Sequence, residues 1–131
     1  MGEAGVLVVF RERRGGSRAI AAAIAVGEPL AIVAIAPRGE PRARCIVYTG
    51  ALEEAIADAA TRDLRDARAI LGERAEQATF VLLAPEHDGD VAEWALRAGL
   101  RRAVVASRRL GRADPIAREL ARAGIEVSVA R

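Results

Sequence analysis

The sequence predicts an α/β fold, a three-layer doubly wound sandwich built on a five-stranded parallel sheet. Short apolar runs without alternation are typical of strands that are covered on both faces, as in a parallel sheet. These runs alternate strictly with segments whose apolar residues recur at helical spacing and are followed closely by a glycine. Because crossovers between parallel strands are right-handed, the alternation places helices on both faces of the sheet.

Five segments are predicted as strands. Pro29 and Pro37 bracket the second segment, because proline cannot donate to a strand ladder, and Pro85 ends the third. The last segment alternates apolar with polar residues, which predicts an edge strand. The predicted strands are residues 5–10, 30–36, 79–84, 103–107 and 125–129.

Helices are predicted in the four connections between these strands. Ser17 is the expected N-cap of the first helix, which closes at Gly27. The second helix is expected over about residues 50–77, and the third ends at Gly99. Asp114 is a good N-cap for the fourth helix because its carboxylate can accept hydrogen bonds from first-turn amides, and the proline that follows suits the first helical position.

Chain length, cysteine content and apolar runs predict a single cytoplasmic domain, residues 1–131. The lone Cys45 excludes an internal disulfide framework and a cysteine-rich metal site. No apolar run approaches the roughly 20 residues that span a bilayer, and the N-terminus lacks the layout of a signal peptide, so no membrane contact is expected. Residues 37–49 form a longer connection than usual and are expected to fold back as a small flap.

The charge pattern does not favour a nucleic-acid partner. The chain contains no lysine, so all of its 20 cations are arginines, and they are interspersed with 18 acidic residues. One Trp, one Tyr and two Phe provide few aromatic faces on which bases could stack. A compositional bias explains the arginines without nucleic-acid binding.

Several short motifs stand in a characteristic order. Gly89-Asp90 leads into the third predicted helix, Val-Val-Ala-Ser occupies residues 104–107, and residues 127–131 form a strand-like ending. Together with the five-strand alternation and the long second helix, these motifs make the chain resemble the universal stress protein family over nearly its whole length. The resemblance implies the strand order 3-2-1-4-5, a role in stress physiology, and often a dimer in which the last strands of two subunits meet.

The same comparison shows departures from the nucleotide-binding members. Those members have an acidic residue at the end of the first strand, where this chain has Phe10 or Arg11. Their glycine-rich phosphate loop precedes the fourth helix, but Ala106 and Arg109 replace its first two glycines and Ala113-Asp114 stands where Gly-Ser/Thr would follow. The resemblance therefore implies a divergent member that lacks the nucleotide-binding loop, and we expect no cofactor.

An arginine-rich crevice between the first and fourth strands suggests an alternative function. A sensor for a nucleotide or another phosphorylated anion would use guanidinium groups and the free amides of a helix start. The other interpretation is that these arginines are solvated and partly paired with Glu12 and Asp114. The candidate residues are Arg11, Arg13, Arg14, Gly15, Gly16, Ser17, Ser107, Arg108, Arg109 and Arg112.

No catalytic or metal site is predicted. The loop of residues 86–90 carries possible metal ligands, but their spacing matches no established site, and Asp88 or Asp90 is expected to be the N-cap of the next helix. His87 is the single histidine and lies at the end of a different predicted strand from Ser17, Ser107 and Cys45, so no nucleophile and base pair can be identified. We expect that the protein is not an enzyme.

The C-terminal strand is the predicted interface. Apolar residues alternate there with Glu126 and Ser128, and an uncovered edge favours pairing with another strand. We therefore expect a homodimer, with a further, unidentified protein partner possible. The residues assigned to the dimer edge are Ile125, Val127, Ser128 and Val129.

Overall fold

Six strands form one sheet in the computed structural model, which describes residues 5–11, 13–35, 45–48, 59–83, 87, 89–106 and 114–130. The sheet order is β3-β4-β2-β1-β5-β6, and each neighbouring pair is parallel except β3 and β4. The strands are β1 Val6–Val9, β2 Leu30–Ile35, β3 Cys45–Tyr48, β4 Thr79–Leu83, β5 Arg102–Ala106 and β6 Glu126–Ala130.

The five parallel strands confirm the predicted doubly wound fold. Counted as the five predicted strands, they lie in the order 3-2-1-4-5. β1 is central, with Val8 opposite Ile32 of β2 on one side and Val104 of β5 on the other. The long apolar runs therefore predict these strands and the central place of β1, while their order is the one that the family resemblance implies.

β3 is a strand that the sequence does not predict, because it falls in the connection expected to form a small flap. It pairs antiparallel with β4, with Cys45 opposite Leu83 and Tyr48 opposite Phe80. Four residues carry too little pattern to identify a strand by themselves. Their partner strand, β4, follows later in the chain, beyond the second helix, so only the tertiary fold reveals the pairing.

The helices connect the parallel strands and cover both faces of the sheet. A 3-10 helix, Gly72–Gln77, continues the second of them, and residues 50–58, where that helix is predicted to begin, lie outside the described residues. No helix in the described part of the chain is long and apolar enough to cross a bilayer. The α-helices are α1 Arg13–Ile24, α2 Ala59–Leu71, α3 Asp90–Arg97 and α4 Pro115–Arg122.

The sheet separates two cores, and β1 contributes to both. Val6, Val8 and Phe10 belong to the α1/α2 core, whereas Leu7 and Val9 belong to the α3/α4 core. All five side chains are at most 1% exposed. Burial on both faces is what an uninterrupted apolar strand predicts. The strand order, with β1 between β2 and β5, places the carboxyl end of β1 in the interior of the sheet.

Candidate functional site

The candidate site lies at the carboxyl ends of β1 and β5, which are parallel neighbours at the centre of the sheet. From β1 the chain crosses through α1 to β2 on one side, whereas β5 lies on the other side of β1. The strand order thus reverses between them. In doubly wound sheets a crevice opens at this switch point, and ligands bind there.

Arg11 and Asp114 form an ion pair at this position. Arg11 follows β1, and Asp114 immediately precedes α4. Nη1 of the guanidinium donates to Oδ1 of the carboxylate at 3.2 Å, and Nη2 donates to Oδ2, so that the contact is two-pronged. The two side chains are only 17% and 10% exposed. The pair therefore joins the end of the central strand to the start of the last helix, largely away from water.

Asp114 also caps α4, as the sequence predicts. Its Oδ1 accepts hydrogen bonds from the amides of Ile116 at 2.8 Å and Ala117 at 3.4 Å. Burial raises the pKa of Asp114, but the hydrogen bond and charge of Arg11, with the two amide hydrogen bonds, outweigh it and hold the pKa below its ordinary value. The carboxylate is therefore charged at neutral pH.

The predicted anion-binding residues are only partly described by the structure. Arg11 is engaged by Asp114, as the alternative interpretation of the arginines expects. Arg13 begins α1, and Arg14 is exposed on that helix. The other predicted residues, which belong to the connection before α4, lie outside the described part of the chain; they are Ser107, Arg108, Arg109 and Arg112.

The prediction that Ser17 caps the first helix is wrong. α1 begins at Arg13, so Ser17 lies in the second turn and its amide donates to the Arg13 carbonyl within the helix. The amides without an intrahelical acceptor are those of the first turn, which include the amide of Gly15 but not that of Ser17. The expected anion cradle of Gly15-Gly16-Ser17 therefore does not begin the helix.

Gly15 and Gly16 allow α1 to approach the sheet closely. A Cβ atom on Gly16 would overlap the ring of Phe10, and one on Gly15 would lie 3.0 Å from the Cβ of Ala106. A pair of glycines disfavours helix by intrinsic propensity, which is why the sequence predicts a loop here. Packing against β1 and β5 explains these glycines without any ligand.

The arrangement of strands and helices matches a solved structure, that of the universal stress protein from Archaeoglobus fulgidus. The TM-score is 0.71, and the alignment covers 98% of this chain and 94% of that chain at 16% sequence identity. The chain has the universal stress protein fold. No protein-family model and no curated protein sequence matches it.

The comparison confirms the universal stress protein fold that the sequence resemblance implies, while the altered phosphate loop stays a prediction. Residues 107–113, which carry much of that alteration, lie outside the described residues. They are flanked by the end of β5 at Ala106 and by the capping carboxylate of Asp114.

β6 lies at one edge of the sheet, as predicted for the last strand of this universal stress protein fold. Among the described strands it pairs with β5 alone. Val129 is 50% exposed and Ser128 is also exposed, whereas Val127 packs partly against the α3/α4 core. Ile125 immediately precedes β6 and is buried in that core. The accessible part of the predicted dimer edge therefore includes Ser128 and Val129.

Glu119 of α4 caps α3, and this role has no local signal in the sequence. The expected cap by Asp88 or Asp90 is wrong, because Gly89 is the N-cap with φ of 95° and Asp90 is the first helical residue. The Asp90 carboxylate instead accepts from the His87 amide at 2.9 Å. Oε2 of Glu119 accepts from the amide of Ala92 in the first turn of α3 at 2.9 Å. The two partners lie on different helices, so only their packing identifies them.

His87 lies at the surface in the loop before α3. Its side chain is 79% exposed, and its Nδ1 lies 3.9 Å from Oδ2 of Asp90. Across the residues that the structure describes, no group of three or more His, Cys, Asp or Glu side chains is arranged to hold a metal ion.

A cavity of about 340 Å³ lies at the opposite end of the sheet. Its lining includes Ile24 at the end of α1, Leu30 at the start of β2 and Arg74 of the 3-10 helix. Because β2 begins at Leu30, the cavity is at the amino ends of the parallel strands. It is therefore separate from the switch point and from the Arg11 and Asp114 pair.

Proposed function

We propose that this chain is a universal stress protein-like regulatory or interaction domain that does not bind ATP in the manner of the family. It is a single cytoplasmic domain, works as a homodimer in a stress response, and acts through contacts rather than catalysis. The fold supports the general assignment. The ion pair between Arg11 and Asp114 is the observation that supports the lack of family-type ATP binding.

The position of the Asp114 carboxylate opposes the binding of a phosphate at α4. A helix N-terminus attracts anions because its first amides lack intrahelical acceptors. Here Asp114 already accepts from the amides of Ile116 and Ala117. Two like unit charges about 4 Å apart repel by about 4 kcal/mol at an effective dielectric constant near 20. A phosphate approaching this turn would therefore meet a negative charge where it needs donors.

The end of β1 also differs in charge from the nucleotide-binding pattern. The family resemblance places an acidic residue there, whereas this chain has the cation Arg11 directly after the buried Phe10. The Arg11 side chain is only 17% exposed, and its guanidinium group pairs with Asp114. A group that is paired and mostly buried is poorly placed to receive a ligand. This supports a regulatory or interaction domain over an anion sensor.

The exposed edge of β6 supports the homodimer. An uncovered edge strand presents backbone donors and acceptors to another strand, and a two-fold axis pairs the same strand of two copies. In the described sheet β6 is such an edge, and Val129 adds apolar surface that is 50% exposed. Both features suit a second copy of this chain.

Native mass spectrometry of freshly purified protein tests the proposal, followed by calorimetric titration with ATP, ADP and AMP. We expect a dimer mass without bound nucleotide, and no saturable binding tighter than about 1 mM, which corresponds to about −4 kcal/mol. A co-purified adenosine phosphate, or saturable binding at micromolar concentration, would overturn the proposal and favour the anion sensor.

A further inference from the structure

We propose that Asp114 is a tethered anion: its carboxylate occupies the anion-binding position of the crevice and is what excludes phosphate- and carboxylate-bearing ligands from it. This inference rests on the proposed function and names the residue responsible for it. It predicts that the position becomes a receptor for small anions once the carboxylate is removed.

The partners of the Asp114 carboxylate are those that a bound anion would have. The two terminal nitrogens of the Arg11 guanidinium, Nη1 and Nη2, donate to it, one to each oxygen. The amides of Ile116 and Ala117 donate to Oδ1. A two-pronged arginine and the free amides of a helix start are a common combination for holding carboxylates and phosphates.

The covalent tether explains why a free anion does not compete. A group attached to the chain next to its receptor has an effective concentration that a dissolved ligand must exceed to replace it. The Asp114 side chain is only 10% exposed, so little of it is accessible to an incoming ion. An external anion must therefore displace Asp114, or approach it against like-charge repulsion.

Removal of the carboxylate should leave a vacant receptor. In Asp114→Ala the guanidinium of Arg11, whose side chain is 17% exposed in the pair, loses its counter-ion, and the two first-turn amides lose their acceptor. A small anion can satisfy all of these donors together. We therefore expect formate, acetate or phosphate to stabilise this variant and not the wild-type chain.

The experiment is a thermal unfolding series in formate, acetate and phosphate, with sodium chloride at equal ionic strength as the reference. At a concentration about tenfold above the dissociation constant, the anion should raise the Tm of Asp114→Ala by about 4 °C over the reference. The wild-type Tm should differ from its reference by less than about 1 °C. Asp114→Ser keeps a helix cap, whose hydroxyl still accepts from the first-turn amides, but removes the charge that pairs with Arg11. It should show a smaller anion-specific rise than Asp114→Ala, and it serves if the alanine variant does not fold.

Two further variants separate a specific receptor from a general salt effect. Glu119→Ala removes another carboxylate that caps a helix, through its hydrogen bond to the Ala92 amide, and should show no anion-specific rise. The double variant Arg11→Gln/Asp114→Ala retains the free helix start but lacks the guanidinium. Its anion-specific rise should be reduced at least about fivefold.

The inference is overturned if neither Asp114 variant responds to any of the three anions, or if Glu119→Ala or the double variant responds equally. These outcomes are independent of the test of the proposed function. Wild-type protein that binds ATP refutes the proposed function whatever the variants do. Wild-type protein that binds no nucleotide, with Asp114 variants that ignore anions, refutes only the role of Asp114.

Discussion

Arg11 and Asp114 are 103 positions apart in the chain, yet their side chains join the carboxyl end of β1 to the first turn of α4. The ion pair between Arg97 and Glu93 is a useful contrast. Those two residues lie one turn apart on α3, with Nη2 and Oε1 at 2.6 Å and side chains that are 79% and 57% exposed. The two pairs have the same chemistry but differ in burial and in the separation of the elements they connect.

Replacing the arginine of each pair should therefore have unequal effects. We expect Arg11→Gln to lower the free energy of unfolding by about 2 kcal/mol, because it leaves a mostly buried carboxylate without its cation. Arg97→Gln should cost less than about 0.5 kcal/mol, since exposed pairs on a helix contribute little. Urea denaturation of both variants checks this prediction, and equal losses would contradict it.

The lowered pKa of Asp114 predicts how the pair depends on pH. In the unfolded chain this carboxyl titrates near its ordinary value of 3.8, while in the folded protein its pKa is lower. The stabilisation is therefore present above pH 3.8 and is lost as the pH falls through the folded-state pKa, because the unfolded state takes up the proton first. The stability difference between wild type and Arg11→Gln should be constant near neutral pH and should shrink in that acid range. A difference that does not change on acidification would show that Asp114 is not the group involved.

The close approach of Gly16 to Phe10 predicts that Gly16→Ala lowers the free energy of unfolding rather than raising it. Within a helix, Gly→Ala alone is expected to stabilise by about 0.5 to 1 kcal/mol through backbone entropy. In Gly16→Ala the new methyl group would overlap the Phe10 ring, so we expect a net loss of about 2 kcal/mol instead. Adding Phe10→Leu to this variant should cost less than Phe10→Leu costs in wild type, which a double-mutant cycle measured by chemical denaturation would show. A stabilised Gly16→Ala would contradict the close packing of α1 on β1.

The exposed valine of β6 provides a test of the dimer. Val129→Arg should weaken self-association at least about tenfold, or about 1.4 kcal/mol, because it brings like charges together across a two-fold interface. Leu96→Arg is the matched control, since Leu96 is 39% exposed on α3 rather than on the edge strand. Sedimentation velocity over a range of concentrations measures both variants. Wild-type protein that stays monomeric at high concentration, or equal effects of the two substitutions, would contradict an interface at β6.

Much of the fold could be predicted from local signals. The apolar runs of β1 and β2 indicate strands buried on both faces, and the buried side chains Val8 and Ile32 agree with that. Asp114 followed by Pro115 marks the start of α4, and the capping hydrogen bonds confirm it. These signals succeed because strand burial and helix capping depend on residues that are close together in the chain.

Local signals were misleading where the packing of one element against another competes with them. Ser17 has the chemistry of an N-cap and Gly16 disfavours helix, yet α1 begins at Arg13 because the helix packs against Phe10. β3 has too few residues to be identified alone and becomes a strand by pairing with β4. Glu119 caps α3 only because α4 packs beside it.

By itself, the sequence determined the α/β alternation, the central strands and the start of the last helix, since each depends on patterns within a few neighbouring residues. Only the tertiary structure showed that Arg11 pairs with Asp114, because it brings together two charges that are 103 positions apart. Whether these two side chains meet depends on their distance in space, which no local pattern encodes.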